Sequence, residues 1–175
     1  MPWWAIIILV AFIFLGIYVA GVFVYIYQMK EYDRRMAKHL EAIDVLIAQK
    51  YDLLRRISKI FVQLRIAVPP EFMIQARPKF EETLANIAPE ERAVIKSFLM
   101  RTAQALFYYG EIDSGLAQHR EYVGIKESYA EIDRQYRFTL NIYNADALGY
   151  NYWKDFFWFR WVARMRHYTE KDLIT

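Results

Sequence analysis

The feature that most constrains this chain is a long run of residues without a charged side chain, which ends at Lys30. In a helix, about 25 apolar residues at about 1.5 Å each are longer than the ~30 Å hydrocarbon core of a bilayer. Tryptophan and tyrosine favour the two membrane–water interfaces. We therefore predict one transmembrane helix within residues 1–29. The residues at its two ends that we expect to contact the membrane are Trp3, Trp4, Tyr25 and Tyr27.

A cleaved signal peptide is the alternative interpretation of this run. Such a peptide has a basic start and an apolar core of only about 7–15 residues, and this sequence has neither. The first basic residues come after the run, at Lys30, Arg34, Arg35 and Lys38. Because positively charged flanks remain in the cytoplasm, we predict the N-terminus outside and the following domain inside.

The sequence after the run has apolar residues at heptad spacing. Two rows, seven residues apart within each row, indicate a long helix with a buried seam. One row is Leu40, Ile47, Leu54, Phe61 and Val68, and the other is Ile43, Ile57 and Leu64, with Lys50 interrupting it. With no Gly or Pro between Tyr27 and Val68, we predict one continuous helix from Trp3 to Val68, which Pro69-Pro70 ends.

The remaining sequence also has helical periodicity and no alternating strand pattern. We predict an irregular segment over 69–79 and a short helix over about 79–87. A further helix begins at Pro89 and ends at Gly110, and a last long helix begins between Ser114 and Gln118 and continues through Tyr150. The predicted fold class is all-α, a transmembrane helix continuing into an antiparallel bundle of about four helices. The predicted domains are a transmembrane segment (1–29), a cytoplasmic bundle (30–152) and a membrane-proximal segment (153–175).

Within the segment 153–175, residues 153–168 are aromatic on nearly all sides, and basic residues follow or interleave them. Interfacial helices pair such aromatic residues with basic ones, and a last helix that runs back towards the membrane would deliver this segment to the bilayer. The alternative is that the aromatic rings cap the bundle or the transmembrane helix. The residues that we predict to contact the membrane here are Trp153, Phe157, Trp158, Trp161 and Arg164.

Residue patterns that would indicate catalysis or cofactor binding are missing from the sequence. There is no cysteine, and the three histidines, His39, His119 and His167, are scattered without a metal-binding spacing. We predict no catalytic residue, no metal site and no cofactor. The net charge of +3 and the isoelectric point near 9.0 are explained by basic flanks beside an anionic leaflet, so we expect no nucleic-acid partner.

One polar pattern stands out on the last long helix. Tyr143-Asn144 and Tyr150-Asn151 are seven residues apart and therefore lie on nearly the same face. A buried asparagine needs hydrogen-bond partners, so we predict inter-helix bonds that fix the register of the helices. The candidate partners are Asp44 and Asp52 of the first helix, and a ligand site on this face is the alternative.

These motifs together resemble the LemA family of bacterial membrane proteins. The resemblance covers roughly 28–66 and 125–168, and its motifs are Ile43-Asp44-Val45, Lys50-Tyr51-Asp52-Leu53, Tyr143-Asn144, Tyr150-Asn151, Phe157, Val162-Ala163 and Tyr168. The sequence departs from the family pattern at Arg55, Arg56, Leu140 and Trp158. The resemblance implies a divergent member in the bacterial inner membrane, with the N-terminus outside, an antiparallel helical bundle inside and no established enzymatic activity.

Three functions follow as hypotheses from these observations. The first is a non-enzymatic scaffold that presents its helices to an unknown membrane or cytoplasmic protein, or associates with itself. The second is an oligomeric protein that organises or shapes the membrane through segment 153–175. The third is an enzyme whose active site has no recognisable sequence motif.

Overall fold

A computed structural model describes residues 2–73 and 89–174, without the side chains of residues 89–93. Its elements are α1 (Trp3–Gln63), a 3₁₀ turn (Pro70–Phe72), α2 (Pro89–Ile112), α3 (Ser114–Ala117), α4 (Arg120–Asp155), a second 3₁₀ turn (Phe157–Phe159) and α5 (Arg160–Met165). The all-α prediction is confirmed for the described residues, which contain no strand. The antiparallel bundle of about four helices remains a prediction, and the predicted helix over 79–87 lies outside the described residues.

Helix α1 ends earlier than predicted, at Gln63 instead of Val68. The Ile66 amide donates to the Phe61 carbonyl at 3.0 Å, and Arg65, with a φ of 55°, donates to the Val62 carbonyl at 3.2 Å. These bonds form a Schellman motif, which satisfies the last carbonyls of the helix before the two prolines are reached. Leu64, which we predicted in the buried seam, lies just past the end of the helix and is exposed.

Residue contacts divide the chain into two compact units. Unit 1 consists of Met1–His39 and Asn141–Thr175, and unit 2 is Leu40–Leu140. Helices α1 and α4 each contribute residues to both units. The predicted division at residues 29 and 152 followed composition and remains a prediction.

Unit 2 buries the predicted heptad rows of α1. The buried residues of these rows are Ile43, Ile47, Leu54, Ile57 and Phe61, and Leu99, Leu106, Leu116 and Tyr122 complete this core. Truncating a fully buried leucine such as Leu106 would cost about 2–5 kcal/mol, because the lost apolar contact leaves a cavity. The predicted seam is therefore confirmed in its central part.

Helix α2 continues past Gly110 to Ile112, so the predicted helix end was wrong. Gly110 is needed for close packing instead, because a Cβ there would lie 2.2 Å from the Tyr122 hydroxyl. The helix break comes at Asp113, whose carboxylate accepts hydrogen bonds from the Gly115 and Leu116 amides, each at 2.9 Å, and caps the single turn of α3.

Unit 1 combines an exposed apolar helix with a small core. The first part of α1 is long and apolar enough to cross a membrane, and none of its most apolar 18-residue window is buried. Further along α1, Met29 and Met36 are buried, as are Ala147 and Tyr150 of α4 and Val162 of α5. The core of this unit therefore lies after the apolar window.

Candidate functional site

The Tyr-Asn pairs of α4 hold the C-terminal peptide, residues 168–174. The Asn144 amide donates to the Ile174 carbonyl at 2.9 Å, and its oxygen accepts from the Ile174 amide at 3.0 Å. The Asn151 side chain makes the same two bonds, each at 2.9 Å, with the carbonyl and amide of Lys171. The Tyr143 hydroxyl donates to the Asp172 carbonyl at 3.3 Å. Each asparagine thus satisfies both polar groups of one backbone residue.

Ion pairs hold the same peptide at its side chains. The Lys171 ammonium lies 2.9 Å from the Asp33 carboxylate of α1 and 5.2 Å from the centre of the Tyr150 ring. Glu170 pairs with Lys154 of α4 at 3.7 Å. Burial raises the pKa of the Tyr150 phenol, and the nearby Asp33 charge raises it further, so this ring remains neutral beside the lysine. We call the binding surface the tail groove, made of Asp33, Tyr143, Asn144, Tyr150, Asn151 and Lys154.

The tail groove corrects one prediction. We expected the two asparagines to bond the Asp44 and Asp52 side chains, and both amides instead bond the backbone of the C-terminal peptide. Asp44 is half-buried and Asp52 is exposed on the part of α1 that belongs to unit 2. The seven-residue spacing places both asparagines on nearly one face of α4, and both bond the same peptide. Sequence reasoning missed the partner because residues 169–174 have no periodicity to identify them.

A second cluster in unit 1, which we call the aromatic collar, packs on one face of α1 near the end of its apolar part. Phe159 stacks on Tyr18 and Tyr25 with ring centres 6.1 and 5.0 Å apart, and its ring lies 3.3 Å from the Cβ position of Gly21. The Trp161 indole donates to the Tyr18 hydroxyl at 2.6 Å, and that hydroxyl donates to the Trp158 carbonyl at 3.2 Å. The collar is therefore these rings of segment 153–175 together with Tyr18, Gly21 and Tyr25.

The predicted membrane-contact residues differ in their exposure. Most present large exposed surfaces: Trp3, Trp4, Tyr27, Phe157, Trp158, Trp161 and Arg164. Trp153 is half-buried and packs against Phe156 with ring centres 5.4 Å apart. Tyr25 is only 2% exposed, because it packs between Phe159 and Tyr168. Its ring therefore faces the protein, and its predicted membrane contact was wrong.

Unit 2 contains a buried charge at the position where the heptad row is interrupted. Lys50 is 7% exposed, and its ammonium lies 2.5 Å from the Asp133 carboxylate of α4. It also lies 4.3 Å from the centre of the Tyr136 ring and 5.6 Å from that of Tyr129, within cation–π range. Sequence reasoning noted Lys50 as an interruption of the heptad row and as part of a motif, and did not identify Asp133 as its partner.

The charges around Lys50 favour a fixed ion pair. Burial alone would raise the pKa of Asp133, but the hydrogen bond and charge of Lys50, with Arg137 2.8 Å away, lower it below its usual value of 3.8. Burial and the Asp133 charge raise the pKa of Tyr129 to about 12. A cleft of about 330 Å³ opens beside this pair and is lined by Ile47, Lys96, Leu99, Met100 and Leu140 together with the groups already named. An ammonium with a paired carboxylate is a poor nucleophile or base at neutral pH.

The part of the chain that the structure describes contains no candidate metal site. No group of three or more His, Asp or Glu side chains there could hold a metal ion. The chain matches no protein-family model, no curated protein and no solved structure.

Proposed function

We propose that this chain is a single-pass membrane protein with a non-enzymatic helical interaction module, in which the aromatic collar rests at the edge of the bilayer. The observation that carries the proposal is the position of the collar. It packs on one face of α1, at Tyr18, Gly21 and Tyr25, and leaves the opposite face and the preceding apolar residues of the helix exposed.

The length of α1 before the collar supports this position. From Trp3 to Gly21 the helix rises about 27 Å, close to the ~30 Å of the hydrocarbon core. The exposed tryptophans Trp158 and Trp161 then lie at the level of one interface, while Trp3 and Trp4 lie at the other. The membrane boundary on the collar side is thus proposed near Tyr18–Tyr25 and not at Tyr27.

The charges near the collar support contact with anionic lipid headgroups. Arg160, Arg164 and Arg166 are exposed in and beside α5, and Lys30 and Arg34 are exposed on α1. Each basic residue close to an anionic leaflet contributes about 1 kcal/mol of attraction. From the same excess of basic residues we propose that the N-terminus lies outside and that the polar parts of both units lie in the cytoplasm. The LemA resemblance implies this orientation in a bacterial inner membrane.

Quenching by brominated lipids tests the proposed depth of the collar. A full-length chain that keeps Trp158 and has phenylalanine at the other four tryptophans would be reconstituted with lipids brominated at different acyl positions. We expect the strongest quenching by bromine near the headgroup, because the indole prefers the interface. A matched chain that keeps only Trp153, which is half-buried, should be quenched less. Equal and weak quenching of both chains would contradict the proposal.

A second candidate function is membrane shaping by exposed apolar residues that neighbour the collar in sequence. Phe157 is 81% exposed and Met165 is 70% exposed, so apolar groups here are available for insertion between lipids. If this function is correct, replacing Phe157, Trp158 and Met165 by serine should abolish vesicle deformation by the reconstituted chain. Unchanged deformation by that variant would exclude it, without affecting the single-pass proposal.

A further inference from the structure

The tail groove recognises backbone at a fixed spacing. Asn144 and Asn151 are separated by about 10.5 Å along α4, from seven residues at about 1.5 Å each. Lys171 and Ile174 are three residues apart, which in an extended chain at about 3.3 Å each is about 10 Å. The peptide can therefore meet both asparagines only when it is nearly fully extended. Because Asn144 bonds the later residue and Asn151 the earlier one, the peptide runs in the direction opposite to α4.

Each asparagine acts in the groove as a neighbouring strand would act in a sheet. A side-chain amide has both a donor and an acceptor, so it exchanges two hydrogen bonds with one residue, as paired residues of antiparallel strands do. At Lys171 and Ile174 these bonds involve no tail side chain, and Lys171 adds specificity through Asp33 and Tyr150. Such a site fits an extended peptide with a lysine three residues before its last held position.

The C-terminal peptide is attached to its groove by one aromatic ring and by polar contacts. The Tyr168 ring packs against Tyr25 and Tyr150, with ring centres 6.5 and 6.2 Å apart. The remaining attachment consists of the hydrogen bonds and ion pairs already described, and four of the side chains are exposed: Thr169, Glu170, Asp172 and Leu173. The same peptide from a second copy would make every one of these contacts, so exchange between two copies conserves them.

A hinge for such an exchange lies directly before the peptide. His167 has a φ of 54°, a left-handed conformation that is unfavourable for a residue with a Cβ. It is the turning residue of a Schellman motif in which the Tyr168 amide donates to the Ala163 carbonyl at 3.1 Å. A hinge that opens to an extended conformation relieves the strain at His167, whereas the closed form retains it.

We propose that the tail groove is a docking site for the C-terminal peptide of a second copy of this chain, and that two copies exchange these peptides. The proposal goes beyond the membrane function above and does not depend on whether the aromatic collar touches lipid. The ligand is an extended polypeptide read by Asn144 and Asn151, with Lys171 as its charged anchor.

Cross-linking between differently tagged copies tests the exchange, because the chain contains no cysteine of its own. One full-length copy carries Lys154→Cys and the other carries Glu170→Cys, positions whose native side chains lie 3.7 Å apart. The two copies are expressed together in the same membranes and treated with a short bis-maleimide. The matched control replaces Lys154→Cys by Ala145→Cys, an exposed position on α4 turned about 100° from Asn144.

We expect the Lys154→Cys pair to give roughly tenfold more cross-linked heterodimer than the control, because docking raises the local concentration of the two thiols. Adding Asn144→Ala and Asn151→Ala to the Lys154→Cys copy should reduce the yield to the control level. A third chain with both cysteines reports closure within one copy. If that chain cross-links internally while the heterodimer stays at the control level, the groove serves only its own chain and the proposal is overturned. A heterodimer that persists after both asparagine changes would overturn it as well.

Discussion

At the scale of single residues, the ion pair of Lys50 and Asp133 shows how a buried charge is accommodated in an apolar seam. The ammonium is almost completely removed from water, which costs solvation free energy. One carboxylate and two aromatic rings offset this cost. Asp133 is 26% exposed, and Arg137 also binds it. The pair therefore stabilises unit 2 only while Asp133 is ionised.

Because the ion pair requires an ionised Asp133, the free energy of unfolding should depend on pH. Because the pKa of Asp133 is lowered on folding, its contribution is complete above the unfolded value of 3.8 and is lost as pH falls below it. Asp133→Asn should cost about 2 kcal/mol at neutral pH, and the difference from the parent chain should narrow below pH 3.8. Urea unfolding in detergent at several pH values measures it. Glu131→Gln, which breaks an exposed pair on the same helix, should cost little at any pH, and an equal cost for both variants would contradict the prediction.

Two glycines of unit 2 lead to opposite predictions for the same substitution. Gly110→Ala should destabilise the chain by about 1–3 kcal/mol, because its Cβ would overlap the buried Tyr122 ring. At Gly124 of α4, an added Cβ would meet no atom within 4 Å outside the backbone of its own helix. Gly124→Ala should therefore stabilise the chain by about 0.5–1 kcal/mol through helix propensity. Thermal unfolding followed by circular dichroism compares the two variants directly. A destabilised Gly124→Ala chain would show that this part of α4 packs against something further.

At the scale of elements, periodicity predicted where helices occur better than it predicted the residues at which they end. The heptad rows of α1 identified residues that are buried, because side chains seven apart share one helix face. The end of α1 depended on Arg65 adopting a left-handed conformation, for which an arginine gives no sequence signal. Likewise Gly110 suggested a helix end by its type, whereas its role is the space it leaves for Tyr122.

The C-terminal peptide is the element that sequence reasoning could not place. Its partners are backbone groups, and every residue except proline carries the same backbone donor and acceptor. The asparagines could be identified as a pair, but the segment that they hold could not. The aromatic residues of segment 153–175 could be identified from the sequence, but the packing of Phe159 on Tyr25 could not.

Hydrogen exchange tests the attachment of this peptide. The Lys171 and Ile174 amides each donate to an asparagine side chain, so they should exchange more slowly than the neighbouring amides. Replacing Asn144 and Asn151 by alanine should raise their exchange rates by roughly tenfold or more, since each change removes two hydrogen bonds. Asn141→Ala, an exposed asparagine on the same helix, is the control and should leave the rates unchanged. Unprotected amides in the parent chain would contradict the groove.

At the scale of the whole molecule, the two units differ in how their residues are distributed along the chain. Unit 2 is one continuous stretch, whereas unit 1 joins Met1–His39 to Asn141–Thr175. The sequence predicted the helical class and the apolar helix from local patterns. It left open whether segment 153–175 contacts α1, and it did not predict that the C-terminal peptide binds α4, because aromatic and polar contacts of this kind leave no periodic signal.

The split composition of unit 1 determines when it can be completed during synthesis. At about 5–20 residues per second, the ribosome needs on the order of 5–20 s to make the intervening Leu40–Leu140. Through that interval the nascent α1 has Gly21 and Tyr25 but not Phe159, the ring that later packs on them. If α1 crosses the bilayer as proposed, lipid covers these residues first, and the collar closes by displacing it.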